Sequence, residues 1–175
     1  MAQLCAGQDG AFNSLMDRHG ERLFHYLLRQ LGSQADAADL AQETFVRVYR
    51  HRQRFRRSRK FTTWLYAIAT NLLRDRFRWQ RRHPQVSLDA PAGAGLEAAA
   101  GSSASPSEEL AGEERAREVR QAIRALPEDL RSAVILSTYE GMSHAEVGAV
   151  LDCSAKAVET RLYRARALLR KRLEG

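Results

Sequence analysis

Apolar residues recur every three to four positions through most of the chain, which is the spacing of helices rather than strands. In the N-terminal part an apolar stripe runs over residues 12–31, Gly32 is placed to end that helix, and Ser33 to begin the next. A later core face is predicted at Trp64, Leu65, Ile68, Ala69 and Leu72. This pattern predicts an all-α domain over residues 1–83.

The C-terminal part has the pattern of two short helices joined by a tight turn. Ser143 and Glu146 have the spacing of a capping box, residues 152–153 make the turn, and Ser154 can cap the second helix. The apolar positions of that second helix point inward: Val158, Leu162, Ala165 and Leu169. We predict a helix-turn-helix within a second domain over residues 113–175.

The outer face of the second helix carries residue types that contact phosphates and base edges in the major groove. These are Lys156, Thr160, Tyr163 and Arg164, and a run of basic residues closes the chain. Many helical hairpins share this periodicity, but the caps, the turn and the basic end favour DNA reading.

Residues 84–112 are rich in Ala, Gly, Ser and Pro and offer almost nothing to bury. We expect a flexible linker, so the predicted fold is all-α, with two small helical domains joined by this segment. A disordered loop inside one domain would have the same composition.

Charge is uneven along the chain, whose formal net charge is +7. Two basic blocks flank an acidic spacer, which makes a polyanion the expected partner. No apolar run reaches membrane-spanning length and no signal-peptide core is present, so we expect a cytoplasmic protein. Cys5 and Cys153 are far apart and the five histidines are scattered. We therefore expect no disulfide, metal or cofactor.

Two features of the N-terminal domain suggest chemistry. Asp36, Asp39 and Glu43 form an acidic stripe on one helix face, which suits either a solvated surface or the metal ligands of a nuclease, although no histidine joins them. Basic residues crowd positions 47–60 beside several aromatics. Arginines that follow a backbone and rings that stack on bases are typical of single-stranded nucleic-acid binding.

Four segments, in order and nearly over the full length, closely resemble the bacterial extracytoplasmic-function (ECF) sigma factors: residues 39–45, 61–75, 126–134 and 141–151. The resemblance assigns residues 10–83 to the family's region two and 113–173 to its region four. It implies an RNA polymerase subunit that confers promoter recognition and is not an enzyme.

The resemblance also implies roles for individual residues. Those implied to dock on the clamp helices of the polymerase largest subunit are Asp36, Asp39, Gln42 and Glu43. Those implied to capture a flipped base of the −10 element are Phe55, Arg57, Lys60, Phe61 and Asn71, with Trp64 as a structural support. Those implied to read the −35 element are Lys156, Glu159, Thr160, Tyr163 and Arg164.

Glu159 departs from the basic residue that some family members carry, and it could accept from a cytosine amino group or repel phosphate. The resemblance further implies an anti-sigma factor as a partner, including membrane-bound ones that would hold the chain at the inner membrane. Two rival functions remain: a helix-turn-helix regulator that does not bind polymerase, and a nucleic-acid enzyme that uses the acidic stripe.

Overall fold

The structure is a computed structural model, and it describes residues 1, 4, 10–56, 58–83 and 106–174. Its long helices are α1 (Gly10–Leu31), α2 (Gln34–Arg50), α3 (Phe61–Arg82), α4 (Pro106–Arg124), α5 (Glu128–Val134), α6 (His144–Leu151) and α7 (Ala155–Leu173). A short 3₁₀ turn (Arg52–Arg54) follows α2, and a π-helical turn (Ile135–Tyr139) continues α5. No strand occurs among these described residues, so the all-α prediction is confirmed.

The predicted helix boundary between α1 and α2 is confirmed. Gly32 has a φ of +77°, a left-handed conformation that favours glycine, and its N–H donates to the Leu28 carbonyl at 2.8 Å. The Ser33 hydroxyl then accepts from the Asp36 N–H at 3.3 Å and caps α2. The chain therefore reverses tightly, and α1 and α2 pack side by side with α3 against α2.

A buried hydrogen bond joins α1 to α3 inside this N-terminal group of helices. The Tyr26 and Thr70 hydroxyls lie 2.8 Å apart, and burial raises the pKa of Tyr26 to about 12. A buried hydroxyl without such a partner would destabilise the fold, so this pair fixes how α1 and α3 face each other.

Two sequence predictions about α3 and α4 have different outcomes. Leu65, Ala69 and Leu72 are buried as predicted, whereas Trp64 and Ile68 are only half-buried. Helix α4 begins at Pro106, inside the segment predicted as linker, and residues 84–105 lie outside the described residues. The division into two domains stays a prediction.

The C-terminal helices form a compact group in which α7 packs against α4, α5 and α6. This group also packs against the N-terminal helices, because α3 contacts α6 and α1 contacts both α4 and the π turn. Buried apolar residues from both groups form one continuous cluster, from Leu23 in α1 to Ala165 in α7.

Candidate nucleic-acid interface

A cavity of about 290 Å³ lies where the loop before α3 meets the first turn of that helix. Its lining combines two aromatic rings with three guanidinium groups: Phe55, Trp64, Arg54, Arg56 and Arg59. The Phe55 and Trp64 ring centroids are 5.3 Å apart, and Phe61 lies 6.3 Å from Phe55 and 6.2 Å from Trp64. Such a site offers faces for stacking a base and cations for the phosphates beside it.

This cavity corrects the sequence-based interpretation of Trp64. We predicted a core residue, but its indole is half-buried and forms part of the cavity wall. The reason is that α3 begins at Phe61, so the first turn projects beyond the helices that cover Leu65. Sequence reasoning also did not single out Arg54, Arg56 and Arg59, although the crowding of basic residues over positions 47–60 was the signal.

The other residues proposed for the −10 element lie around this cavity in different states. Lys60 and Asn71 are exposed, and Phe61 is half-buried with its ring centroid 5.1 Å from that of His19. Asn71 is two turns beyond Trp64 on the same face of α3, roughly 10 Å along the helix. Arg57 lies outside the described residues.

The helix-turn-helix has the predicted caps. The Ser143 hydroxyl accepts from the Glu146 N–H at 3.3 Å, and the Glu146 carboxylate accepts from the Ser143 N–H at 2.9 Å. This reciprocal pair begins α6 as a capping box. Ser154 begins α7 by accepting from the Ala157 N–H at 3.1 Å. Both helix starts are therefore determined by residues within one turn.

The turn between α6 and α7 is tight. Asp152 has a φ of +56°, and the Cys153 N–H donates to the Gly148 carbonyl at 2.9 Å. A Cβ atom placed on Gly148 would lie 2.5 Å from the Cys153 carbonyl oxygen. Only glycine permits this close approach, which sets the position of α7 relative to α6.

Helix α7 presents the predicted outer face to solvent. Val158, Leu162 and Ala165 are buried, whereas Tyr163 is 74% exposed. Arg164 is also exposed, and no side chain in the described part of the chain forms an ion pair with it. This leaves Arg164 able to approach a base edge.

Lys156 and Glu159 on the same face form an ion pair. The Lys156 Nζ donates to the Glu159 carboxylate at 2.9 Å, and this bond lowers the pKa of Glu159. The Thr160 hydroxyl donates to the Lys156 carbonyl at 3.0 Å and keeps its lone pairs available. Glu159 therefore neutralises part of the charge that Lys156 would offer to DNA.

The acidic stripe on α2 divides into paired and exposed members. Asp36 pairs with Arg76 of α3 at 2.5 Å, and Glu43 pairs with Arg47 at 2.8 Å. Asp39 and Gln42 are exposed between them. In the described part of the chain no group of acidic, His and Cys side chains could hold a metal ion, and no helix is long and apolar enough to cross a membrane.

Comparison with known proteins assigns a family to this arrangement. The Sigma-70 region 2 profile matches residues 15–83, and the Sigma-70 region 4 profile matches residues 116–169. The ECF RNA polymerase sigma factor SigW of Bacillus subtilis (strain 168) is 34% identical over 177 residues, which cover 98% of this chain and 93% of SigW. The chain belongs to the ECF sigma factor family.

Solved structures agree with this ECF assignment. CnrH, solved in complex with the cytosolic domain of CnrY, is 32% identical, with a TM-score of 0.72 over 99% of this chain and 94% of CnrH. RpoE of Bartonella quintana, solved with the anti-sigma factor NepR, shares the fold at 20% identity, with a TM-score of 0.74 over 94% of this chain and 97% of RpoE. The chain is thus an alternative sigma factor of a family that is not one of enzymes.

Proposed function

We propose that this ECF sigma factor docks on core RNA polymerase through α2, captures the −10 element at the aromatic and basic cavity, and reads the −35 element with α7. The observation that carries the proposal is the exposed acidic face of α2 on a chain of net charge +7. A regulator that bound only DNA would have no use for this face, since it repels phosphate.

Docking depends most on the exposed members of the stripe. Asp39 and Gln42 are available to a partner, whereas Asp36 and Glu43 already hold Arg76 and Arg47 within the fold. The proposed partner surface is the clamp helices of the polymerase largest subunit. We assign Asp39 and Gln42 to direct contact, and Asp36 and Glu43 to the edge of the interface.

A pull-down with core polymerase tests this assignment. Replacing Asp39 and Gln42 together by arginine places positive charge at the centre of the interface, where such changes cost several kcal/mol. We expect binding to core polymerase to fall by about 30-fold or more, since about 1.4 kcal/mol corresponds to tenfold. Asp17→Arg, an exposed change on α1 with the same charge difference as Asp39→Arg, is the matched control.

Two results would contradict the docking proposal. One is that the Asp39→Arg, Gln42→Arg variant binds core polymerase with wild-type affinity. The other is that Asp17→Arg weakens binding equally, because the effect would then follow net charge rather than the α2 face.

The −10 element is proposed to bind at the cavity as a separated strand. A base that leaves the duplex stack can lie against Phe55 and Trp64 while Arg54, Arg56 and Arg59 neutralise neighbouring phosphates. Asn71, exposed on the same face of α3, provides an amide that can recognise a base edge. We expect Asn71→Ala to weaken promoter opening more than binding to closed duplex, and an equal loss of both would contradict this role.

The −35 element is proposed to bind α7 in the major groove. Arg164 is assigned to a base edge, where a bidentate contact to guanine is worth roughly 1–3 kcal/mol of discrimination. Lys156, near the helix start, is assigned to phosphate. Arg164→Ala should therefore change base preference, whereas Lys156→Ala should weaken all sequences alike and reduce the salt dependence. The reverse outcome, measured on single-base variants of a −35 duplex, would exchange the two roles.

Regulation by an anti-sigma factor is part of the same proposal. CnrH and RpoE, which share the fold, were solved with the cytosolic domain of CnrY and with the anti-sigma factor NepR. We infer a similar protein partner for this chain and a cytoplasmic location, where the polymerase and promoter DNA are found.

A further inference from the structure

The N-terminal and C-terminal helices meet at a carboxylate. Glu140, directly after the π turn, has a side chain that is only 3% exposed. It accepts a short hydrogen bond from the Tyr66 hydroxyl of α3. Arg22 and Arg29 of α1 approach the same carboxylate at 3.5 and 4.0 Å. A buried carboxylate is stable only with such partners, so this contact depends on both halves of the chain.

A second polar contact lies nearby and involves the proposed DNA-reading parts. The Lys60 Nζ lies 2.7 Å from the Glu146 carboxylate in the first helix of the helix-turn-helix. This ion pair lowers the pKa of Glu146 to about 2, together with the bonds from Ser143. Arg74 of α3 also donates to the Leu151 carbonyl at 3.0 Å. Lys60, which we assign to the −10 element, is thus occupied by the −35 module.

The distances in this arrangement do not fit a chain bound to both promoter elements. Elements named for positions −10 and −35 are about 25 base pairs apart, which is roughly 85 Å of duplex at about 3.4 Å per pair. Here Lys60 touches α6, and α7 extends only about 28 Å beyond the turn. The two reading surfaces therefore lie within about one helix length of each other and must separate to contact both elements.

We propose that the chain masks itself: its free form is a closed state in which the helix-turn-helix module binds α1 and α3 through Glu140 and Glu146. The partner that this surface fits is the other half of the same chain. Formation of the promoter complex breaks the contact and releases Lys60 for the −10 element. This inference rests on the proposed function for its consequence, but the closed contact itself is tested without polymerase.

The polar character of the contact suits reversible opening. The Lys60 side chain is 74% exposed, so solvent and salt weaken its pair with Glu146. Contacts between domains of one chain generally resemble transient interfaces and not permanent ones. The Glu140 cluster, which is shielded from solvent, is the part that favours the closed state.

Zero-length carbodiimide cross-linking can detect this state, because the chain has only three lysines, at positions 60, 156 and 171. The reagent joins a lysine amine to a carboxylate in direct contact. We expect the free chain to form two products: the long-range Lys60–Glu146 amide and the local Lys156–Glu159 amide, whose atoms lie 2.9 Å apart. The local product is the internal control for reagent activity.

Three outcomes of the cross-linking would overturn the proposal. The first is a free chain that yields the Lys156–Glu159 product without the Lys60–Glu146 product. The second is a Lys60–Glu146 product that joins isotope-labelled to unlabelled chains, which would indicate contact between copies. The third is persistence of the product in the complex with core polymerase and promoter, where cross-links within the polymerase report reagent activity.

Two variants test whether the closed state restrains function. Glu140→Gln keeps the shape of the side chain but removes the charge that Arg22 and Arg29 contact, and Tyr66→Phe removes only the hydroxyl. We expect both to lower the yield of the Lys60–Glu146 product and to form the promoter complex at a severalfold lower concentration, because less of the chain is closed. Glu174→Gln, on the exposed end of α7, is the control and should change neither.

A gain of promoter binding separates this role from a structural one, since a damaged fold would lose binding. Unchanged cross-linking and unchanged promoter binding in both Glu140→Gln and Tyr66→Phe would overturn the proposal. If instead no holoenzyme forms with the wild-type chain, the proposed function fails while the result on the free chain still stands.

Discussion

Gly148→Ala is the sharpest test of how the fold positions the recognition helix. The new Cβ atom would lie 2.5 Å from the Cys153 carbonyl oxygen and 3.5 Å from the Ala155 nitrogen. Both are backbone atoms of the turn, so no flexible side chain can move aside. Inserting a methyl group into such a site typically costs about 1–3 kcal/mol.

A second effect acts in the opposite direction. Alanine is favoured over glycine in a helix interior by roughly 0.8–1.0 kcal/mol. Because backbone must move to relieve the contact, we place the cost in the upper part of its range and expect a net loss of about 1–2 kcal/mol. With a urea m-value of about 1–3 kcal/mol per molar, the midpoint should fall by roughly 0.5–1 M.

The matched control is Gly112→Ala in α4, where an added Cβ meets nothing within 4 Å. This variant has only the helix-propensity effect and should be more stable by up to about 1 kcal/mol. Binding to a −35 duplex should weaken in Gly148→Ala even where the protein is fully folded, because the turn sets the position of α7. If Gly148→Ala is stabilised as much as Gly112→Ala, the close approach of the turn is not rigid and the reasoning fails.

Three further predictions follow from individual contacts. Trp64→Ala should reduce binding of a single-stranded −10 oligonucleotide by holoenzyme by about 1–3 kcal/mol, while its half-buried ring makes the loss of unfolding free energy smaller than the roughly 3–5 kcal/mol of an enclosed tryptophan; the reverse ranking would return it to the core. Glu159→Gln should release Lys156, raise −35 duplex affinity and steepen the salt dependence by about one phosphate contact, and an unchanged slope would contradict this. The pKa of Glu146 is depressed to about 2, so its ionised form stabilises the fold at neutral pH, and this contribution is lost as pH falls from about 4.5 to about 2. The stability difference between wild type and Glu146→Gln, followed by urea denaturation, should shrink over that window, and a constant difference would argue against the ion pair.

Features that depend on neighbouring residues could be predicted from the sequence. Ser33, Ser143 and Ser154 each cap a helix by bonding to a backbone group three residues later. Gly32 ends α1 because a left-handed residue suits only a few residue types. These signals act within one turn of helix, so the sequence contains all the information that they need.

Features that join distant segments could not be predicted in the same way. The pairing of Asp36 with Arg76, and of Glu140 with Tyr66, depends on which helix faces meet after folding. The partial exposure of Trp64 has the same origin, because the apolar spacing of α3 marks a face without showing how far its neighbours cover it. Periodicity therefore identified helices well and their uncovered ends poorly.

The π turn over Ile135–Tyr139 has a consequence for how chains of this kind can change in length. Its last bond runs from the Glu140 N–H to the Ile135 carbonyl, at 3.2 Å, and it holds one residue more than an α-helical turn would. Deleting one residue here would restore regular helix and rotate everything after it by about 100° relative to α5. Glu140 would then face away from Tyr66, and the helix-turn-helix would follow it. Insertions and deletions should accordingly be excluded from this short stretch, whereas a change of length between α3 and α4 leaves that angular relation unaltered.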